Sequence, residues 1–595
     1  MRRRIAGLPA LPVAGVALAL AATAGGVALA SGALSGGCRG LVTVTVAADP
    51  APAAAVNTVA AAYDRSRPSI NGTCVTVRVT PTPSPSVLSA LNAGWPETTA
   101  GVAPDVWIPD STDWWAMARG NPTAARLLTA QPVTIATTRV VLALPTPMAT
   151  ALAASRLPVS WSLIQDSATN TRFWSQLGHP AWGGLRVEFA DPAASSASLH
   201  AVLSIAAVRA NITPPAFTPA SFQTNRVVQL GVLSMERDAA AVTRDNPGLL
   251  ADMRAAGTQL ARAPIVPLQE ASLVSYNHMA AGTDPAGQPY TALYPTGGVT
   301  PVDVPFIPVA AGRDPLHQRA TTAFLTRLRS PAGQTALENA GYRSLTGAAT
   351  ALGPATGTRP DATTTRPGPT AGPTLTAAVD FFGHIHRRGA SLALVDVSGS
   401  MMETVPGTNP PQSKLDIAAN ALVTALPLFA PDSEAGLWEF ATHLPGDQDY
   451  RQLFPVEPMG DRGHPGPTHR DDLRNLRGDL QPGQDTPLYT ATLAAFRERT
   501  AHFVTGKVNQ VIVLSDGDND TPDDPHGMTL DQLLAALHAS YNPARPVRII
   551  TIAYGADADP GPLRAIAAAT GARSYQSTNP TDIFNVFVDA LTQGT

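Results

Sequence analysis

Alternating apolar and polar residues over Leu41-Val42-Thr43-Val44-Thr45-Val46 predict a strand, the alanine-rich stretch running to Tyr63 predicts a helix, and Cys74-Val75-Thr76-Val77-Arg78-Val79 predicts a second strand. Apolar runs at Val106 to Ile108, Arg139 to Leu144 and Leu185 to Phe189 continue this pattern to about Leu345. There the periodicity stops. From 348 to 375 the chain is dominated by Pro, Thr, Gly and Ala, a composition that cannot bury enough apolar area to offset ordering and that predicts an exposed, extended linker. Beyond it the pattern resumes. Strands are expected at Ser391 to Val397, Ala435 to Phe440, Val511 to Leu514 and Val547 to Ala553. Helices are expected at Leu415 to Leu428, Leu488 to Phe503, Leu530 to Ser540, Leu563 to Thr570 and Ile583 to Leu591.

Short apolar strands alternating with helices predict parallel sheets buried on both faces. The expected fold class is therefore α/β in two units, the second a Rossmann-like doubly wound sheet. A chain of 595 residues exceeds what one core usually serves. The expected boundaries are 1–37 for a leader, 38–347 for the first unit, 348–375 for the linker and 376–595 for the second unit.

The leader reading comes from Arg2, Arg3 and Arg4, followed by a stretch without charge until Arg39 that includes the apolar run Val13 to Ala30. This is an export signal. Ala28-Leu29-Ala30 offers a cleavage site, while the run is also about long enough to stay as a membrane anchor, so cleaved signal and uncleaved anchor both stand. Either one places the bulk of the chain outside the cytoplasm, secreted or on the outer face of a bacterial membrane, touching the membrane only through this segment. In that setting Cys38 and Cys74 can close a disulfide, contributing about 4 kcal/mol by loop entropy. Lipid modification of Cys38 is the alternative, but Leu34 stands one place too far upstream and Cys74 would be left as an odd thiol. Charged residues make up only 14% of the chain and the formal net charge is −4, so no basic surface for nucleic acid is expected.

The first strand of the second unit runs into "DVSGS", delivering Asp396, Ser398 and Ser400 from one loop. "GQDTPLY" brings Thr486 before the helix at Leu488, and the strand ending at Leu514 runs into "SDGDND" with Asp516. In a parallel sheet these segments share the carboxyl edge, where ligands bind. Two carboxylates and three hydroxyls suit a hard divalent cation, Mg²⁺ or else Mn²⁺ or Ca²⁺. "DVSGS", "DTPLY" and "LSDG", in this order, resemble the metal-ion-dependent adhesion site (MIDAS) of von Willebrand factor type A (vWA) domains, over roughly residues 376 to 595. The resemblance implies that Asp396, Ser398, Ser400, Thr486 and Asp516 hold the cation and that a Glu or Asp of a partner protein completes its coordination. The acidic residues Asp518, Asp520, Asp523 and Asp524 read as a solvated loop.

In the first unit, "APDVWIPDSTDWW", "VEFADPAASSASLHAVLSIAA" and "PLQEASLVSYN" resemble bacterial extracellular solute-binding proteins of the kind that serve ABC importers. What this implies is a two-lobed, periplasmic-binding-protein-like domain hinged around a cleft. Ser195, Ser196 and Ser198 precede or open a helix beginning near Leu199, where they either cap the helix or offer hydroxyls to an anion; Ser111 and Thr112 carry the same pair of readings. Trp107, Trp114 and Trp115 either wall the cleft or pack in the core. His384 and His386 are expected on one side of a strand, in a surface or linker role.

No Gly-x-Ser-x-Gly elbow, His-Glu-x-x-His helix, P-loop or Cys-x-x-Cys pair occurs, and no general base is evident beside the oxygen cluster, so catalysis is not expected. The expectation is a cell-surface binding protein that grips a partner through a cation and binds a solute or second partner through its first unit. The alternative is a transport receptor with the second unit as an accessory.

Overall fold

The computed structural model describes residues 38–282, 287–295, 301–309, 314–362, 368–460, 467–516, 519–521, 527–555, 558–577 and 583–593. The leader, and with it the reading of 1–37 as signal or anchor, lies outside these residues, as do Asp518, Asp523 and Asp524. No helix among the described residues is long and apolar enough to cross a membrane.

The first unit is built from β1 (Leu41–Ala48), β2 (Ser69–Ile70), β3 (Thr73–Pro81), β4 (Val106–Ile108), β5 (Val133–Pro145), β6 (Glu188–Ala190), β7 (Ala241–Thr243), β8 (Val266–Gln269), β9 (Tyr290–Leu293) and β10 (Pro301–Pro308). Strand β1 pairs in parallel with β3 and β4, and the expected Cys38–Cys74 disulfide pins the start of that pairing. Alternate residues Val42, Val44 and Val46 of β1 are buried against Val56, Val59, Phe324 and Leu328 of the flanking helices, which is what the sequence alternation demands.

Two lobes arise because one strand is shared. The first half of β5 pairs with β10, whose other edge meets β4, while Val140 to Pro145 pair with β8 and β9. Parallel pairing of β6 with β7, and a bridge from Val187 to Ile265 beside β8, complete the second lobe. The carboxyl ends of β1, β3 and β4 therefore face those of β6, β7 and β8 across a cleft.

The Pro/Thr/Gly-rich segment departs from the expected exposed linker. Its described residues are fastened to the first unit: Asn277 donates to the Thr356 carbonyl at 2.9 Å, and Arg343 donates to the carbonyls of Arg359 and Pro360. The segment lacks apolar area of its own, yet its carbonyls satisfy buried donors that would otherwise be stranded. The helix Gly372–His386 also differs from expectation. It buries Leu375, Ala378, Phe381, Phe382 and Ile385 in the core of the first unit, with Phe382 edge-on to Phe189 at 5.9 Å, so the second unit's first strand hangs directly from it. His384 and His386 lie at the end of this helix and not on a strand, because Phe381, Phe382 and Ile385 follow helical spacing.

The second unit contains β11 (Gly389–Asp396), β12 (Glu434–Leu444), β13 (Gln448–Pro458), β14 (Val508–Ser515), β15 (Val547–Tyr554) and β16 (Ser574–Ser577), in the order β13-β12-β11-β14-β15-β16. All neighbours are parallel except β12 and β13, a hairpin turned at Gly446, whose φ of +85° is open to glycine. The hairpin strand β13 and the short β16 were not foreseen, since β13 is an edge strand whose polar residues break any apolar run. Strand β11 lies between β12 and β14, where the winding changes direction.

A buried carboxylate ties the two units together. Glu236, with its side chain fully buried, binds Arg237, His386 and Arg388, while Arg237 donates to the carbonyls of Ile385 and Leu428. Burial opposes the charge on Glu236, but His386 and the two arginines outweigh it and hold the carboxyl at about 2. Its stabilising contribution is thus complete above pH 4.5 and is lost as pH falls through about 2. Glu236→Gln should cost about 3 kcal/mol at neutral pH in urea denaturation, because it leaves two arginines facing a neutral amide, and the difference between variant and parent should shrink in acid.

Candidate functional site

Three loops meet at the carboxyl edge of the second sheet, and backbone bonds hold them in place. The Gly399 N–H donates to the Gln484 carbonyl at 2.8 Å and the Gly483 N–H to the Val397 carbonyl at 2.9 Å, joining the first loop to the second. Thr486 and Asp520 exchange N–H to carbonyl bonds at 2.8 and 3.0 Å, joining the second to the third. Ser515 Oγ donates to Asp396 Oδ2 at 2.6 Å, joining the third strand end to the first.

Asp396 is wholly buried at the end of β11, and its Oδ1 accepts the Ser398 N–H at 2.9 Å. Ser398 Oγ and Ser400 Oγ stand 3.1 Å apart, and Thr486, in the second loop, is buried. Burial first, and the neighbouring Asp516 second, push Asp396 up to about 6. Two acids forced together away from water call for a positive charge. One comes from Lys414, buried at the start of the helix Lys414–Ala425, whose Nζ lies 3.8 Å from Asp516 Oδ2 and 2.9 Å from Glu403 Oε2. The donor set of carboxylate and hydroxyl oxygens fits a hard cation. Among the described residues no group of three or more His, Cys, Asp or Glu side chains is placed to hold a metal ion, so any cation here depends on the hydroxyls.

The second place where chemistry collects is the cleft of the first unit. Asp110, at the end of β4, accepts from Trp114 Nε1 at 2.6 Å, Ser196 Oγ at 2.5 Å and Gln269 Nε2 at 3.0 Å, so a carboxylate from one lobe sits on the helix start of the other. Asp113 and His200 form a second cross-lobe pair at 2.7 Å. Outside this seam lies a cavity of about 690 Å³, walled by Asp49, Ser86, Ala194, Arg244, Ser272 and His278 among others.

Residues 44–343 match the family described as bacterial extracellular solute-binding protein. The chain belongs to that family. An uncharacterized protein of Mycobacterium tuberculosis strain H37Rv is 26% identical over 546 residues, covering 90% of this chain and 74% of the relative, so the similarity runs through both units. Among solved structures, the sulfate-binding protein SubI of Mycobacterium tuberculosis is 15% identical, with a TM-score of 0.35, covering 54% of this chain and 89% of that one. A periplasmic thiamin binding protein is 14% identical, with a TM-score of 0.37, covering 58% and 96%. By the family match, the first unit is a solute-binding receptor-like domain.

Within this solute-binding domain the expected hydroxyls are accounted for individually. Ser111 caps the helix Thr112–Gly120 and Ser195 caps the helix Ser196–Ala210, accepting the Ser198 N–H at 3.2 Å. Thr112 donates to the Asp303 carbonyl at 3.3 Å, Ser196 donates to Asp110, and Ser198 Oγ accepts the Ala190 N–H at 3.1 Å. Only Ser196 thus reaches the other lobe, and Ala194 reaches the cavity wall. Trp107 and Trp114 are fully buried and belong to the core.

Sequence reasoning passed over Asp49, Asp110, Gln269, Lys414 and Ser515. The signal for the first three was their position, each being the first polar residue after an apolar strand run and ahead of a helix start. Ser196→Ala, which leaves the buried Asp110 carboxylate one donor short, should cost about 1–3 kcal/mol in urea denaturation.

Proposed function

We propose that the chain is an exported or membrane-anchored cell-surface binding protein whose second unit is a von Willebrand factor type A-like domain. Asp396, Ser398, Ser400, Thr486 and Asp516 would hold Mg²⁺, or Mn²⁺ or Ca²⁺ in its place. The cation supplies a Lewis-acidic position for a Glu or Asp of a partner protein. The observation that supports this reading is that Asp396, buried at the sheet's switch point, feels the charge of Asp516 and shares its loop with the neighbouring Ser398 and Ser400 hydroxyls. The two carboxylates offset a divalent charge, and the neutral hydroxyls leave the ion short of negative ligands, which favours an outside carboxylate.

The residues around the ring have positioning roles. Ser515 and the Ser398 N–H fix the Asp396 carboxylate, and the Thr486–Asp520 backbone pair fixes the second loop against the third. Lys414, with Nζ 3.8 Å from Asp516 Oδ2, shares in balancing its charge. The first unit binds a solute or a second partner.

A second reading has its own support in the family match and the 690 Å³ cavity: an importer-type receptor with the second unit as an accessory interaction module. The two readings differ in which unit the partner needs.

Adding Mg²⁺ to EDTA-treated full chain should raise its melting temperature by several degrees, and Asp396→Ala should abolish that rise; an equal rise in the variant removes the cation-site reading. Surface proteins captured by the parent chain should be released by EDTA and not captured by Asp396→Ala. Capture that survives EDTA assigns the partner to the receptor reading.

A further inference from the structure

We infer that the two lobes of the first unit are fastened shut by the chain itself, with the helix Gly372–His386 as a strap across them, so that the cleft stays closed with no solute in it. Two lobes that share a strand ordinarily close around a ligand, which supplies the bonds between them. Here side chains supply those bonds. Asp110 of the first lobe accepts from Ser196 Oγ at 2.5 Å and from Gln269 Nε2 at 3.0 Å, both of the second lobe. A carboxylate of this chain therefore stands at the start of the helix Ser196–Ala210, a position that attracts anions. Gln269 Nε2 also lies 3.2 Å from the Asp110 carbonyl oxygen, to which it donates. Asp113, on the helix Thr112–Gly120 of the first lobe, lies 2.7 Å from His200 Nε2 of the second. Asp110, Ser196 and Gln269 are all buried, and a charge-assisted hydrogen bond in such surroundings is stronger than one at the surface.

The strap is a second, independent fastening. The helix Gly372–His386 packs on the helix Thr112–Gly120 of the first lobe and on the helices Ser196–Ala210, Pro219–Gln223 and Arg226–Asp238 of the second. Against the first lobe the approach is backbone to backbone: a Cβ added at Gly372 would stand 2.0 Å from the Ala116 carbonyl oxygen, so this position admits glycine alone. Against the second lobe, Thr374 Oγ1 donates to the Phe217 carbonyl at 3.3 Å, Phe382 meets Phe189 edge-on, and Arg237 donates to the Ile385 carbonyl at 2.9 Å. Leu375, Phe381 and Phe382 share one apolar core with Trp114 and Met117 of the first lobe and Phe222 of the second. Parting the lobes would pull the helix off one of them and bring these side chains into water. Strand β11 starts at Gly389, just beyond the helix, so the same movement would shift the strand that ends in Asp396.

Double electron–electron resonance on the full chain tests this, with spin labels attached through Ser89→Cys and Ala251→Cys. Both positions are exposed, on the helices Ser84–Asn92 and Asn246–Ala255, which wall the cavity from opposite lobes through Ser86 and Leu250. The chain's own two cysteines are tied in the Cys38–Cys74 disulfide and stay unlabelled. One narrow distance distribution is expected in the solute-free chain. Asp110→Asn turns an acceptor oxygen into a donor among the donors of Trp114, Ser196 and Gln269, and should add a second, longer distance. Phe382→Ala, which loosens the strap, should do the same, and the two together should move most of the population to the longer distance. Asp110→Asn is nearly isosteric, so it decides the matter should Phe382→Ala fail to fold. A broad distribution reaching long distances in the solute-free parent overturns the inference, and so does an unchanged narrow distance in Asp110→Asn.

Discussion

Two carboxylates, Asp396 and Asp516, are forced together at the end of a buried parallel sheet, and the architecture of the second unit turns on how that negative charge is met. The sheet delivers them there for topological reasons: β11 lies where the winding reverses, so the loops that follow β11 and β14 diverge around a common point. Burial first, and the charge of Asp516 second, disfavour ionisation of Asp396 and push it up to about 6. Lys414 compensates only partly, since its ammonium is nearer to Glu403 than to Asp516. A divalent cation would complete the balance using oxygens already in place.

The first unit meets the same physical situation in another way. Its strand ends also gather helix starts, and each start around the cleft is given a carboxylate of the chain itself. In Asp110 this goes as far as joining one lobe to the other through Ser196 and Gln269. The two units share an arrangement, strands running into helices at one edge, and differ in whether acids outnumber the helix ends available to them.

Much of this was legible in the sequence. Alternation at Leu41 to Val46 and the apolar runs of β11, β14 and β15 announce buried strands, because burial of alternate or successive side chains is what orders them. Asp396, Ser398, Ser400, Thr486 and Asp516 could be singled out from the sequence because they follow predicted strands or precede a predicted helix within the segments DVSGS, DTPLY and LSDG. Strand β13 stayed hidden because an edge strand needs little apolar content. The helix Gly372–His386 was divided between linker and second unit because its partners, among them Phe189 and Met117, lie far away in the sequence. The serines of the first unit could not be resolved between caps and ligand contacts, since the deciding residue, Asp110, comes from the other lobe.

The most direct measurement is anomalous diffraction from crystals of the full chain soaked in Mn²⁺ after EDTA treatment. The account predicts a single strong peak inside the ring formed by Asp396, Ser398, Ser400, Thr486 and Asp516, with an open coordination position facing solvent. A map with no peak there, or with Mn²⁺ bound only elsewhere, would contradict it.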